Sequence, residues 1–218
     1  MTLKWIPNAL TFSRCLAGGL VMLGLWKGAD YSQIVTERMT AGLEVEREAT
    51  LQQLWYQFAL LSFVFGALTD FVDGWAARAL NATSRFGVWL DPIADKVLVG
   101  LTLLGLCVLL KSWLIYLPAA AIIGRDLFMT WFRTTPKGNA VVDPSNLAKW
   151  KTGFEMVAII GLMLPFALWR PSPAGSMWVS TDSFDPVSLV FVGLLWVAAT
   201  LSVFTCVKYM IAANRQAK

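Results

Sequence analysis

Six apolar stretches alternate with polar ones along the chain, and each predicts a helix that crosses a membrane. The first runs to about Trp26. Lys4 and the apolar residues behind it imitate a signal peptide, but no small-residue cleavage site follows, so it is expected to be retained as a first span. Pro7 predicts a break between a short N-terminal interfacial helix and that span. Residues 27–53 are polar and helix-favouring, and predict a surface helix on the far side of the membrane. The second stretch covers about 54–79 and the third about 87–110, with a turn between them near Asn81–Arg85. Lys111 and Ser112 mark the next turn. The fourth covers about 113–134, a polar loop follows, and Lys149 opens the fifth. Residues 170–185 form a loop containing Pro, Ser and Gly, and the sixth stretch covers about 186–210. That last stretch holds the one long run without charge. The other spans carry charged ends, so a strict hydropathy count falls short of six.

Composition agrees with this pattern. The 218 residues are 57% hydrophobic, and the mean hydropathy is +0.60. That is too apolar for a soluble domain and predicts an all-α polytopic membrane protein. Eleven Trp suit interfacial aromatic belts. The net charge of +4 is too small to argue for nucleic acid. His is absent, which excludes Ser-His-Asp triads, His metal ligands and the His-Lys-Asp chemistry of phospholipase D-like lipid synthases. Cys15, Cys107 and Cys206 lie far apart in apolar runs without metal-ligand spacing, and read as packing residues.

The chemistry concentrates at the end of the second stretch and the start of the third. Asp70-Phe-Val-Asp-Gly-Trp-Ala-Ala-Arg precedes Gly87-Val-Trp-Leu-Asp-Pro-Ile-Ala-Asp95. Asp70 and Asp73 are spaced i, i+3, and Asp91 and Asp95 are spaced i, i+4, so on helices each pair shares a face. A helical hairpin brings the pairs together. Carboxylates at membrane depth are costly, and four of them repel one another unless a divalent cation offsets their charge. Oxygen donors suit Mg²⁺, Mn²⁺ or Ca²⁺. The bland alternative is four Asp residues in solvated helix caps or loops. Asn81-Ala-Thr83 matches a glycosylation sequon but falls in the turn between the two acidic pairs and is discounted.

This stretch resembles the signature of the CDP-alcohol phosphatidyltransferase family, D-x-x-D-G-x-x-A-R, about eight residues, then G-x-x-x-D-x-x-x-D. Asp70, Asp73, Gly74, Ala77, Arg78, Gly87, Asp91 and Asp95 meet every fixed position. The resemblance implies a six-transmembrane-helix bundle formed by one domain over residues 1–218, and a homodimer. It also implies a reaction in which a CDP-linked lipid gives its phosphatidyl group to an alcohol and releases CMP. Asp70, Asp73, Asp91 and Asp95 are then metal ligands for two ions, Mg²⁺ or Mn²⁺, and Asp95 also takes the acceptor's proton as general base. Gly74 lets the nucleotide approach the helix, Arg78 reaches the diphosphate as a charged fork, and Thr83 and Ser84 are further nucleotide contacts. The Ile-Pro-Asn-x-Leu-Thr-x-x-Arg wording is similar to the start of phosphatidylglycerophosphate synthases. Its Asn8, Thr11 and Arg14 share a helix face and are read as a polar wall for the CDP-lipid.

Arg125 and Arg133 lie eight apart, about two helical turns, and Lys149 and Lys151 open the next helix. They suit an anionic acceptor such as a phosphomonoester; the alternative is a positive-inside stop for two spans. The order Ile-Gly-Arg-Asp, Phe-Arg, Lys-Trp-Lys-Thr is again similar to phosphatidylglycerophosphate synthases, whose acceptor is sn-glycerol 3-phosphate. Those proteins usually have Arg-Glu where this chain has Arg125-Asp126, and the 134–148 loop diverges. Alternating the six spans puts thirteen Lys and Arg on one side and five on the other. The excess predicts a bacterial cytoplasmic membrane protein with termini and signature facing the cytoplasm. Two rival readings stand beside this one. One is a cardiolipin synthase of the CDP-alcohol type with phosphatidylglycerol as acceptor, whose mitochondrial form is expected to carry an Arg- and Ser-rich leader. The other is a cation-coupled transporter, which usually shows internal repeats and midplane acids; here the acids cluster at one membrane face.

Overall fold

A computed structural model describes residues 5–80, 85–133, 146–168, 179–180, 183–184 and 186–216. Among the described residues there are six helices: α1 Trp5–Thr40, α2 Glu46–Leu80, α3 Arg85–Leu110, α4 Trp113–Arg133, α5 Asn146–Leu168 and α6 Pro186–Gln216. Two short strands, Val179–Ser180 and Ser183–Phe184, are the remaining regular elements among these residues. Among the described residues, four helices contain windows long and apolar enough to cross a membrane: Ile93–Leu110, Trp113–Phe132, Trp150–Leu168 and Pro186–Ala213. The chain is an all-α membrane protein.

Two expectations are corrected. No separate interfacial helix precedes Pro7 among the described residues. Pro7 sits in the first turn of α1, where an N–H has no intrahelical acceptor and proline costs nothing. The polar stretch 27–53 is not a separate surface helix either. α1 continues through it to Thr40 and α2 begins at Glu46. At 36 residues α1 is about 54 Å long, well beyond a hydrocarbon core of about 30 Å. Hydropathy marks where the membrane ends, and a helix whose polar part carries Lys27, Asp30, Gln33, Glu37 and Arg38 can continue into water. The stop comes at Gly42, whose φ of 70° suits glycine. Its N–H donates to Met39 O at 3.1 Å and that of Leu43 to Arg38 O at 2.9 Å, a Schellman cap. An Arg38–Glu48 ion pair at 3.2 Å ties the two arms of this hairpin.

The chain divides into two compact units, residues Met1–Leu110 with Met163–Ser180, and Lys111–Leu162 with Thr181–Lys218. In the first, α1 packs on both α2 and α3. Val21, Leu25, Phe63, Leu98, Leu103 and Leu106 form the buried seam. A Cβ on Gly24 would lie 2.9 Å from Ala59 Cβ and 3.0 Å from Trp55 O, so α1 and α2 meet at backbone distance there. Gln57 donates to Ala167 O at 3.0 Å and so satisfies a carbonyl at the end of α5.

In the second unit α4 packs on α6. Lys111, with φ 45°, turns the chain. Ser112 then caps α4, its hydroxyl accepting from Leu114 N at 3.3 Å. Pro118 lies inside α4 and cannot donate to Leu114 O. Trp196 of α6 supplies the missing donor, with its Nε1 3.0 Å from that oxygen.

Candidate active site

The four signature aspartates occupy two neighbouring helix ends. Asp70 and Asp73 lie in the last three turns of α2, and Asp91 and Asp95 in the first three turns of α3. The side chains of Asp70, Asp73, Arg78 and Asp91 lie outside the described residues, as do Thr83 and Ser84 entirely. Asp95 is half-buried. Among the described side chains no three ligating groups share one spot.

The helix register shows what stands level with these positions. Gly18 lies against Leu98 and Leu25 against Gly105, so α1 and α3 run parallel with numbers 80 apart. Ala17 lies against Gly66 and Gly24 against Ala59, so α1 and α2 run antiparallel with numbers summing to 83. Continued toward the start of α1, this register sets Arg14 level with Thr69 and Ala94, one residue from Asp70 and Asp95 in number. It sets Thr11 level with Asp91 and between Asp70 and Asp73. The backbone thus carries the α1 polar face to the height of the acidic signature. Thr11 and Arg14 are both fully buried. A buried guanidinium is costly without a carboxylate or other acceptor, and the aspartate-bearing turns lie at its level. The Asn8 side chain lies outside the described residues.

The donor set fits a hard divalent cation. The four signature positions fall within two helical turns of one another along this register and carry carboxylates, with no thiol or imidazole among them.

A second polar cluster belongs to the other unit. Asp126 Oδ1 accepts from Arg125 Nη1 at 2.7 Å and from Lys151 Nζ at 3.4 Å. Lys151 Nζ also meets Glu155 Oε2 at 3.4 Å, one turn along α5. Arg125 Nη2 reaches Thr205 Oγ1 of α6 at 3.5 Å. Lys151 and Glu155 are deeply buried, with side chains 6% and 4% exposed, whereas Arg125 and Asp126 reach the rim at 19% and 16%. The structure therefore brings together Arg125 and Lys151 of the expected basic set. The side chains of Arg133 and Lys149 lie outside the described residues. Sequence reasoning missed Glu155 and Thr205. Glu155 had a usable signal: it is a charge inside the apolar fifth span, four residues from Lys151 and so on the same face.

Comparison with known proteins shows the family of the chain. Residues 4–207 match the family model described as CDP-alcohol phosphatidyltransferase. A CDP-diacylglycerol–glycerol-3-phosphate 3-phosphatidyltransferase of Sodalis glossinidius is 36% identical over 158 residues, 71% of this chain and 77% of that protein. The protein of the same name from Escherichia coli K12 is 35% identical over 165 residues, 73% of this chain and 81% of its own. One from Arabidopsis thaliana, named CDP-diacylglycerol–glycerol-3-phosphate 3-phosphatidyltransferase 2, is 36% identical over 162 residues.

Proposed function

This chain belongs to the CDP-alcohol phosphatidyltransferase family, and from that premise we propose that it moves the phosphatidyl group of CDP-diacylglycerol onto sn-glycerol 3-phosphate, forming phosphatidylglycerophosphate and CMP. The whole chain, 1–218, acts as one domain of this family. The observation that supports the reading most is the complete acidic signature on α2 and α3, with the buried Thr11 and Arg14 of α1 level with it.

The family is generally metal-dependent. Asp70, Asp73, Asp91 and Asp95 are the residues that would hold the ions, two Mg²⁺ or Mn²⁺. When bound, the metal offsets pyrophosphate charge and stabilises the leaving phosphate. The remaining work falls to the chain. Asn8, Thr11 and Arg14 form the polar wall of the CDP-lipid site, joined by Asp70, Gly74, Thr83 and Ser84. Arg78 holds the diphosphate through paired N–H donors. Arg125, Arg133, Lys149 and Lys151 bind the acceptor's phosphate. Asp95 takes the proton of the acceptor hydroxyl. The hydroxyl oxygen then bonds to the phosphorus bearing the diacylglycerol, the bond from that phosphorus to the bridging oxygen breaks, and CMP leaves with the electron pair. The enzyme works in the bacterial cytoplasmic membrane with this site on the cytoplasmic face, as a homodimer.

The test is product formation by the purified protein from labelled CDP-diacylglycerol, with sn-glycerol 3-phosphate, phosphatidylglycerol, serine and inositol phosphate in competition. Label entering phosphatidylglycerophosphate is the expected result. Label entering cardiolipin instead would make phosphatidylglycerol the acceptor, and no metal-dependent CMP would remove the transferase reading.

A further inference from the structure

The acceptor cluster carries more negative charge than a phosphate site needs. Among its described side chains two cations, Arg125 and Lys151, meet two carboxylates, Asp126 and Glu155. The two carboxylates differ in depth. Glu155 is as buried as Lys151 and acts as that ammonium's internal counter-ion. Asp126 lies at the more open rim, and a single oxygen of it bridges both cations. Between an arginine fork and a lysine ammonium, that oxygen stands where a phosphate oxygen would stand.

We propose that Asp126 sets acceptor specificity by occupying the anion position between Arg125 and Lys151, so that an acceptor enters only by displacing its carboxylate. The proposal rests on the phosphatidyltransferase reading and deepens it. Charge decides which acceptors succeed. A phosphomonoester brings close to two negative charges at neutral pH, against one on Asp126, and gains from the exchange. A phosphodiester such as phosphatidylglycerol brings one and gains nothing. A neutral hydroxyl compound has no group with which to compete. Displacement moves the Asp126 side chain toward the rim, while Lys151 stays held by Glu155.

The test compares the wild-type chain with Asp126→Asn, which keeps the shape and removes the charge, and with Asp126→Ser, which removes the charge and most of the bulk. Inorganic phosphate is titrated by calorimetry into each protein in detergent, without CDP-lipid. The KM values for sn-glycerol 3-phosphate and for CDP-diacylglycerol are then measured separately. The expected result is phosphate binding about tenfold tighter in both variants, a KM for sn-glycerol 3-phosphate about five- to tenfold lower, and an unchanged KM for CDP-diacylglycerol. Inhibition by inorganic phosphate also appears at lower concentration. Weaker or unchanged phosphate binding overturns the proposal, because Asp126 then orients Arg125 and Lys151 and competes with nothing. Failure of both variants to assemble as monodisperse protein overturns it as well, making the carboxylate a structural counter-ion. Failure of the parent reading looks different: the wild type itself releases no CMP with sn-glycerol 3-phosphate, while the calorimetric comparison still reports on Asp126.

Discussion

Lys151 is held from two sides by carboxylates in a buried setting, and its energetics follow from that. Lys151→Ala leaves Glu155 buried with no cation in its own turn and should cost about 3–5 kcal/mol. In a thermal or denaturant unfolding series in detergent, the double variant Lys151→Met/Glu155→Met should recover most of that loss by apolar packing. It should not recover binding of sn-glycerol 3-phosphate. If the double variant restored a wild-type KM for that acceptor, Lys151 would be a structural residue only. Arg125 and Lys151 were legible in the sequence because basic residues at helix ends stand out against apolar runs. Glu155 was passed over although its i, i+4 spacing from Lys151 inside an apolar span was a usable signal. Its meaning comes from the three-dimensional pairing with Lys151 and from the depth of both.

The helices came through the sequence with small shifts at their ends, apart from the ends of α1 and α2. The turn after Leu110 fell where Lys111-Ser112 predicted, while the one expected near Asn81–Arg85 lies mostly outside the described residues. The stretch 27–53 misled because polarity was read as a break in structure. Glu, Arg and Ala favour helix in water as in lipid, and the stop needed the positive φ of Gly42. Packing between helices was beyond the sequence, since nothing in it says that Gly24 faces Ala59. That contact fixes the α1–α2 register, which carries Thr11 and Arg14 to the level of the aspartates. Gly24→Leu should therefore wedge the helices apart, cost about 1–3 kcal/mol, and depress CMP release more than the stability loss alone explains. Equal turnover per folded molecule would show that the register is not needed. In α4, Trp196→Phe leaves Leu114 O without its indole donor and should cost about 1 kcal/mol. Combined with Pro118→Ala, which restores a backbone N–H to that carbonyl, the loss should largely vanish. A double-mutant cycle with no coupling would assign Trp196 to packing alone.

At the scale of the whole chain, the account is a membrane protein with the polar chemistry at helix ends. Hydropathy identifies four spans among the described residues, and the six-span reading adds α1 and α2, whose polar and charged residues are proposed to serve the site. A reporter fused after Lys218 should be active only when it is a cytoplasmic reporter. One active only outside the cytoplasm would invert the topology. The central claim is that the acidic ends of α2 and α3 act as one metal-dependent site. The most direct measurement is CMP release from CDP-diacylglycerol with saturating sn-glycerol 3-phosphate, titrated with Mg²⁺ after chelation, in the wild type and in Asp91→Asn. The account predicts saturable, Mg²⁺-dependent release in the wild type and none above background in well-folded Asp91→Asn; substantial turnover in that variant, or wild-type turnover indifferent to the metal, would contradict it.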